Sequence, residues 1–110
     1  MGREAVDAWL ERTRSEDARD RALAARKLCP CDLRRDYEDV WDRLLEMTGD
    51  PDEKVRSLVL HSLCDGSPRG YAERIAAALE ARWMDPAPKL RRRIRSVLAE
   101  YRRTGNLNVL

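Results

Sequence analysis

Residues 49–63, GDPDEKVRSLVLHSL, lie over residues 84–98, MDPAPKLRRRIRSVL, at an offset of 35. Asp50 meets Asp85 and Pro51 meets Pro86. Lys54 meets Lys89, Val55 meets Leu90, Arg56 meets Arg91, Val59 meets Ile94 and Leu63 meets Leu98. Asp-Pro cannot lie inside a helix but suits its start. The carboxylate accepts from free backbone N–H groups, and the fixed φ of proline fits the first turn. Val55, Val59 and Leu63 then recur at four-residue steps, which places them on one helical face. Asp50 is expected to cap this helix, with Glu53 as its capping-box partner. One further step back gives Arg21, Ala24 and Leu28, in a first copy that has Ser15 where the others have Asp.

The segments before these helices align more loosely: Ala5, Val40 and Ile75, then Trp9, Leu44 and Leu79. Tyr37, Val40, Trp41, Leu44, Leu45 and Thr48 keep helical spacing, as do Tyr71, Ile75, Leu79 and Trp83. Gly49, Pro30, Asp65-Gly66 and Ser67-Pro68 punctuate the chain. The spacing predicts helices near 3–13, 16–29, 36–48, 52–64, 68–84 and 88–103. A single amphipathic hairpin is too small to be stable alone, so stacking must bury its face. The expected fold is all-α, a short right-handed solenoid of three hairpins with about six helices. The repeats fall near 1–31, 32–66 and 67–103, and the tail 104–110, with Leu107, Val109 and Leu110, is expected to cap the last hairpin.

The Asp-Pro-x-x-x-(Val/Leu)-Arg pattern resembles the HEAT repeat and its HEAT-like relatives. The resemblance covers nearly the whole chain. It implies a ladder of Asp and Arg between successive repeats, a role that would fall to Asp50, Asp85, Arg56 and Arg91. It also implies a scaffold or adaptor that binds a protein through the concave face of its second helices. Some relatives are iron hydroxylases built on His-Glu pairs, but His61 is followed by Ser62. The DNA glycosylases of that fold are about twice as long.

Composition narrows the classes further. Of 110 residues, 43% are apolar and 38% charged, with no Phe and five Gly, which favours an all-helical domain with one core. No apolar run approaches the roughly 20 residues that cross a bilayer, so no membrane role is expected. The charged start reads as lacking a secretory signal, and three cysteines then point to a reducing, cytoplasmic setting. Nineteen Arg against three Lys points to codon bias and a bacterial source.

Residues 1–65 carry 12 basic and 16 acidic side chains, while residues 66–110 carry 10 and 4. The C-terminal part is therefore where an anion would be met. On the second helices, projection at 100° per residue puts Arg26, Cys29, Ser57, His61, Cys64 and Arg92 on an inner strip, with Arg95 at its edge. Arg26, Ser57, His61, Arg92 and Arg95 are the candidate protein-binding residues. Lys89, Arg92, Arg93, Arg95, Arg102 and Arg103 form the alternative, a phosphate-binding run for nucleic acid. Few aromatic residues are spare to stack bases.

Cys29, Cys31, His61 and Cys64 supply the count of a structural zinc site. His61 and Cys64, three apart on one helix, share a face, and Cys29 occupies the position equivalent to Cys64 one repeat away. Neighbouring helices pack about 8–10 Å apart, which is long for equivalent positions to share an ion. Cys64 with His61 also has the makings of an activated nucleophile, but the sequence offers no third orienting group. The expectation is a non-catalytic module without a required cofactor.

Overall fold

The turn before each second helix is built the same way three times. Ser15 Oγ accepts from the Asp17 N–H at 3.1 Å, Asp50 Oδ1 from the Asp52 N–H at 2.9 Å, and Asp85 Oδ1 from the Ala87 N–H at 2.9 Å. Ser15 thus fills the backbone role of the missing aspartate. In the computed structural model, which describes residues 1–110, these turns separate the helices of three hairpins. The first pairs α1 (Arg3–Arg12) with α2 (Ala18–Lys27), and a single turn, α3 (Pro30–Leu33), follows. The second pairs α4 (Glu38–Glu46) with α5 (Glu53–Leu63), and the third pairs α6 (Ala72–Glu80) with α7 (Pro88–Thr104). There is no strand. α2 packs directly against α5, and α7 is tied to α5 by the hydrogen bond from Arg93 to Ser57 Oγ.

Two local expectations change. The cap of α5 is Asp52, whose carboxylate accepts the Val55 N–H at 3.1 Å, and Pro51 stays outside the helix. Asp50 is not available for capping because its two oxygens hold the Asp52 N–H and Arg21. The sequence also places 68–84 in one helix, whereas α6 ends at Glu80 and is preceded by a 3-10 turn over Arg69–Tyr71.

One apolar core runs through all three hairpins. Val6, Ala22, Ala25, Leu28, Val40, Leu44, Val55, Val59, Leu63, Ile75, Leu79, Leu90, Ile94 and Leu98 belong to a single buried cluster. No hairpin keeps a core of its own, so the burial that drives folding is shared between layers. α4 adds Trp41, whose ring lies 5.9 Å from that of Tyr71 on the next hairpin.

Paired charges set the offset between layers. Arg21 holds Asp50 with Nε at 2.9 Å and Nη2 at 3.1 Å, and Arg56 holds Asp85 with the same two atoms at the same distances. The third nitrogen of each fork donates to carbonyls of its own turn: Arg21 to Ser15 and Glu16, Arg56 to Asp50 and Pro51. Arg91 repeats only this last part, donating to the Asp85 carbonyl at 2.9 Å. The bidentate geometry fixes distance and angle together. Burial acts to raise the Asp85 pKa, but hydrogen bonds from Arg56, the Ala87 N–H and Arg82 outweigh it and hold the carboxyl below its usual range.

After Gly105, in the left-handed region at φ 77°, the chain turns back on itself. Leu107 is buried, and Asn108 Oδ1 accepts from the Gly66 and Ser67 N–H groups at 2.9 and 2.8 Å. The Leu110 N–H reaches the Cys64 carbonyl at 3.2 Å. The tail therefore seals the end of α5 as well as lying along α7. Gly66 makes this turn at φ +103°, and a Cβ there would only touch Pro30 at 3.6 Å. The strain of Gly66→Ala would then be a backbone cost of about 1–2 kcal/mol. A drop of that size in urea stability, with secondary structure retained, is the expected result.

Candidate functional site

α2, α5 and α7 leave two open grooves between them. The first, about 320 Å³, has Ala18, Ala22, Leu23 and Leu58 as its apolar floor and Arg19, Arg26, Asp52 and Lys54 at its edges. The second, about 300 Å³, runs between α5 and α7 and is lined by Glu53, Lys54, Ser57, Lys89, Leu90 and Arg93. Helix spacing places the apolar residues at the bottom, because Ala22 and Leu58 lie on the shoulders of the core stripe. Arg26, Lys54, Lys89 and Arg92 are exposed. Of the two acids on these walls, Asp52 already accepts the Val55 N–H. The face is thus cationic with a short apolar floor.

Arg26 stands on the first groove and Ser57 on the second. Ser57 Oγ accepts from Arg93 Nη1 at 3.1 Å, which ties α5 to α7. Arg92 is exposed on α7. Arg95 leaves the strip: its Nε donates to the Trp83 carbonyl at 3.0 Å and its guanidinium lies 4.6 Å from the Trp83 ring centre. Arg102 stacks on the same ring at 5.6 Å and pairs with Glu80 at 3.0 Å, while Arg103 pairs with Glu100. Of the six cations that form the phosphate-binding alternative, Lys89, Arg92 and Arg93 share one face of α7, Arg95 and Arg102 gather on Trp83, and Arg103 is paired with Glu100. Lys54, Arg19 and Leu58 line the first groove, and the sequence pattern gave them no special weight. Their signal was only that they flank the core stripe at its edges.

Cys64 departs from the expected inner strip. It is the C-cap of α5, at φ −114°, where helical projection no longer holds, and it is fully buried in the core cluster. Burial pushes its thiol up to about 12. His61 turns instead to Asp65, with Nε2 3.4 Å from Oδ2. A thiol so protonated is a poor nucleophile near neutral pH. The Cys29 thiol is likewise pushed up to about 12, chiefly by burial. Its neighbours are Cys31 Sγ at 3.1 Å and Asp65 Oδ2 at 3.4 Å. The thiols and carboxylate of Cys29, Cys31 and Asp65 come within 4.8 Å of one another, and neither Cys64 nor His61 is of this group. Asp65 had read only as a helix-ending residue.

A stack of helical hairpins joined by Arg–Asp rungs defines the α-solenoid class. The HEAT repeats family profile matches residues 6–99, and the chain belongs to the HEAT-repeat family. Members of this family are generally protein-interaction scaffolds and typically non-catalytic. No curated protein and no solved structure matches the chain. No helix is long and apolar enough to cross a membrane.

Proposed function

We propose that the chain is a non-catalytic adaptor that takes an acidic protein segment along α2, α5 and α7. The observation that carries this reading is the pair of grooves whose cationic rims surround a small apolar floor. Arg26, Lys54, Lys89, Arg92 and Arg93 would meet carboxylates. Ala22, Leu23 and Leu58 would take one or two apolar side chains of the partner. Charges on such a rim mainly set the encounter rate and the choice of partner, and the buried floor supplies the anchor. Ser57 borders the path, while His61, turned to Asp65, and Arg95, held at Trp83, play no part in it. Three unpaired thiols fit a reducing compartment, and the cytoplasm is the setting proposed.

The test is isolation of the native complex, followed by amine-specific cross-linking. Two of the three lysines, Lys54 and Lys89, lie in the grooves, so the partner should cross-link there. Arg26→Glu combined with Lys54→Glu should weaken the complex at least about tenfold, which is about 1.4 kcal/mol. Cross-links confined to other faces, or affinity unchanged by the double reversal, would refute the assignment. Retention that nuclease abolishes, and that Arg92→Glu with Arg93→Glu removes, would favour nucleic acid instead.

A further inference from the structure

Three side chains with ligand chemistry, Cys29, Cys31 and Asp65, converge where α3 and the turn after α5 meet, and His61 on the last turn of α5 stands beside them against Asp65. Cys29 Sγ lies 3.1 Å from Cys31 Sγ and 3.4 Å from Asp65 Oδ2. His61 Nε2 lies 3.4 Å from that same oxygen. Cys29 is 2% exposed, and the two polar groups its sulfur meets are those of Cys31 and Asp65. We propose that Cys29, Cys31, His61 and Asp65 bind one zinc-type divalent ion. The site is independent of the partner reading and differs from the quartet that spacing suggests, because Asp65 takes the place of Cys64.

The geometry can be compared with the ion's demands. Zn–S bonds of about 2.3 Å and Zn–O or Zn–N bonds of about 2.0–2.1 Å put tetrahedral ligands about 3.8 Å (S···S), 3.5 Å (S···O) and 3.3 Å (N···O) apart. The S···O and N···O separations observed, both 3.4 Å, lie close to these values. The sulfurs, at 3.1 Å, must open slightly, and Cys31 is exposed and free to turn. His61 lies outside the group of three whose ligand atoms stand within 4.8 Å of one another, and its side chain, 45% exposed, would have to rotate toward the sulfurs to fill the fourth corner.

The backbone holds the two sulfurs together before any ion arrives. Cys29 is extended at ψ 141°, Pro30 fixes the first position of α3, and Cys31 follows in the helix. The Asp32 and Leu33 N–H groups both donate to the Cys29 carbonyl, at 2.9 and 3.2 Å, which locks this turn. Thiolate and imidazole ligands favour zinc over magnesium or calcium. On binding, each cysteine thiol exchanges its S–H bond for an S–metal bond and releases its proton to solvent. The ion would join residues 36 apart in sequence and stiffen the turn where Asn108 docks.

The experiment is a titration of metal-free protein, kept reduced by a phosphine, with Co²⁺ and then Zn²⁺. One Co²⁺ per chain is expected, with a sulfur-to-cobalt charge-transfer band and the intense visible bands of a tetrahedral site. One equivalent of Zn²⁺ should bleach both. Cys31→Ser alters an exposed thiol and should weaken binding at least about 100-fold, beyond what outer-shell changes cause. Asp65→Asn and His61→Ala should each weaken it at least about tenfold. Cys64→Ala should leave the cobalt spectrum unchanged. Circular dichroism of each variant separates loss of ligand from loss of fold. The proposal is overturned if the unaltered protein gives no charge-transfer band. It is also overturned if folded Cys31→Ser keeps the same spectrum, or if His61→Ala or Asp65→Asn binds with undiminished affinity.

Discussion

Arg56→Ala is expected to lower the unfolding free energy by about 3–5 kcal/mol, the usual effect of breaking one half of a buried ion pair. Arg56 and Asp85 are 7% and 1% exposed, so removal of the guanidinium leaves a carboxylate with little access to water. Arg82, at 3.1 Å, compensates only in part. Arg56→Lys should recover little, because an ammonium cannot offer the parallel pair of donors or reach the Asp50 and Pro51 carbonyls at once. Replacing both partners with apolar residues should cost less than removing one. Arg102–Glu80, more than half exposed on both sides, should by contrast shift the urea midpoint little when broken.

The same rung fixes a pH dependence. The folded pKa of Asp85 is lowered, so the folded state releases this proton more readily than the unfolded chain does. Its contribution is fully present above the unfolded value, about 3.9. It is lost as pH falls through the folded value, where the unfolded chain binds more protons. The stability gap between the unaltered protein and Asp85→Asn should therefore narrow below about pH 4. A gap that stays constant through that range would show that the carboxylate charge does not carry the rung.

Leu107→Ala should cost about 2–5 kcal/mol, as for other buried Leu truncations. It should also do something a simple core truncation elsewhere would not. The tail is anchored by Leu107, Asn108 and the Leu110 N–H on the Cys64 carbonyl. Freeing it should open the end of α5 and raise the labelling rate of Cys64 by a disulfide reagent. In the metal-free protein, exposed Cys31 should react first, while Cys29 and Cys64, buried and held protonated, lag behind. A Cys64 rate indifferent to Leu107→Ala would mean that the tail does not control its burial.

The sequence by itself determined the repeat, the helical class and most of the core. Asp50-Pro51 and Asp85-Pro86 mark the hairpins, and Val55, Val59 and Leu63 with Leu90, Ile94 and Leu98 mark the buried stripe. These are local signals, because capping and helical period act within about four residues. Tertiary structure decided what meets across layers. Arg21 reaches Asp50 and Arg56 reaches Asp85, each 29 residues on, and Cys29 reaches Asp65, 36 on. Such pairings depend on the rotation and offset of one hairpin on the next, which no periodicity encodes. The same geometry sends Arg95 to Trp83 and away from the grooves, and buries Cys64 beneath the tail. The zinc-type candidate consequently moved by one residue, from Cys64 to Asp65. At the end of α5 the chain leaves helical geometry, and side-chain direction there is set by the tail and α3 packed around it.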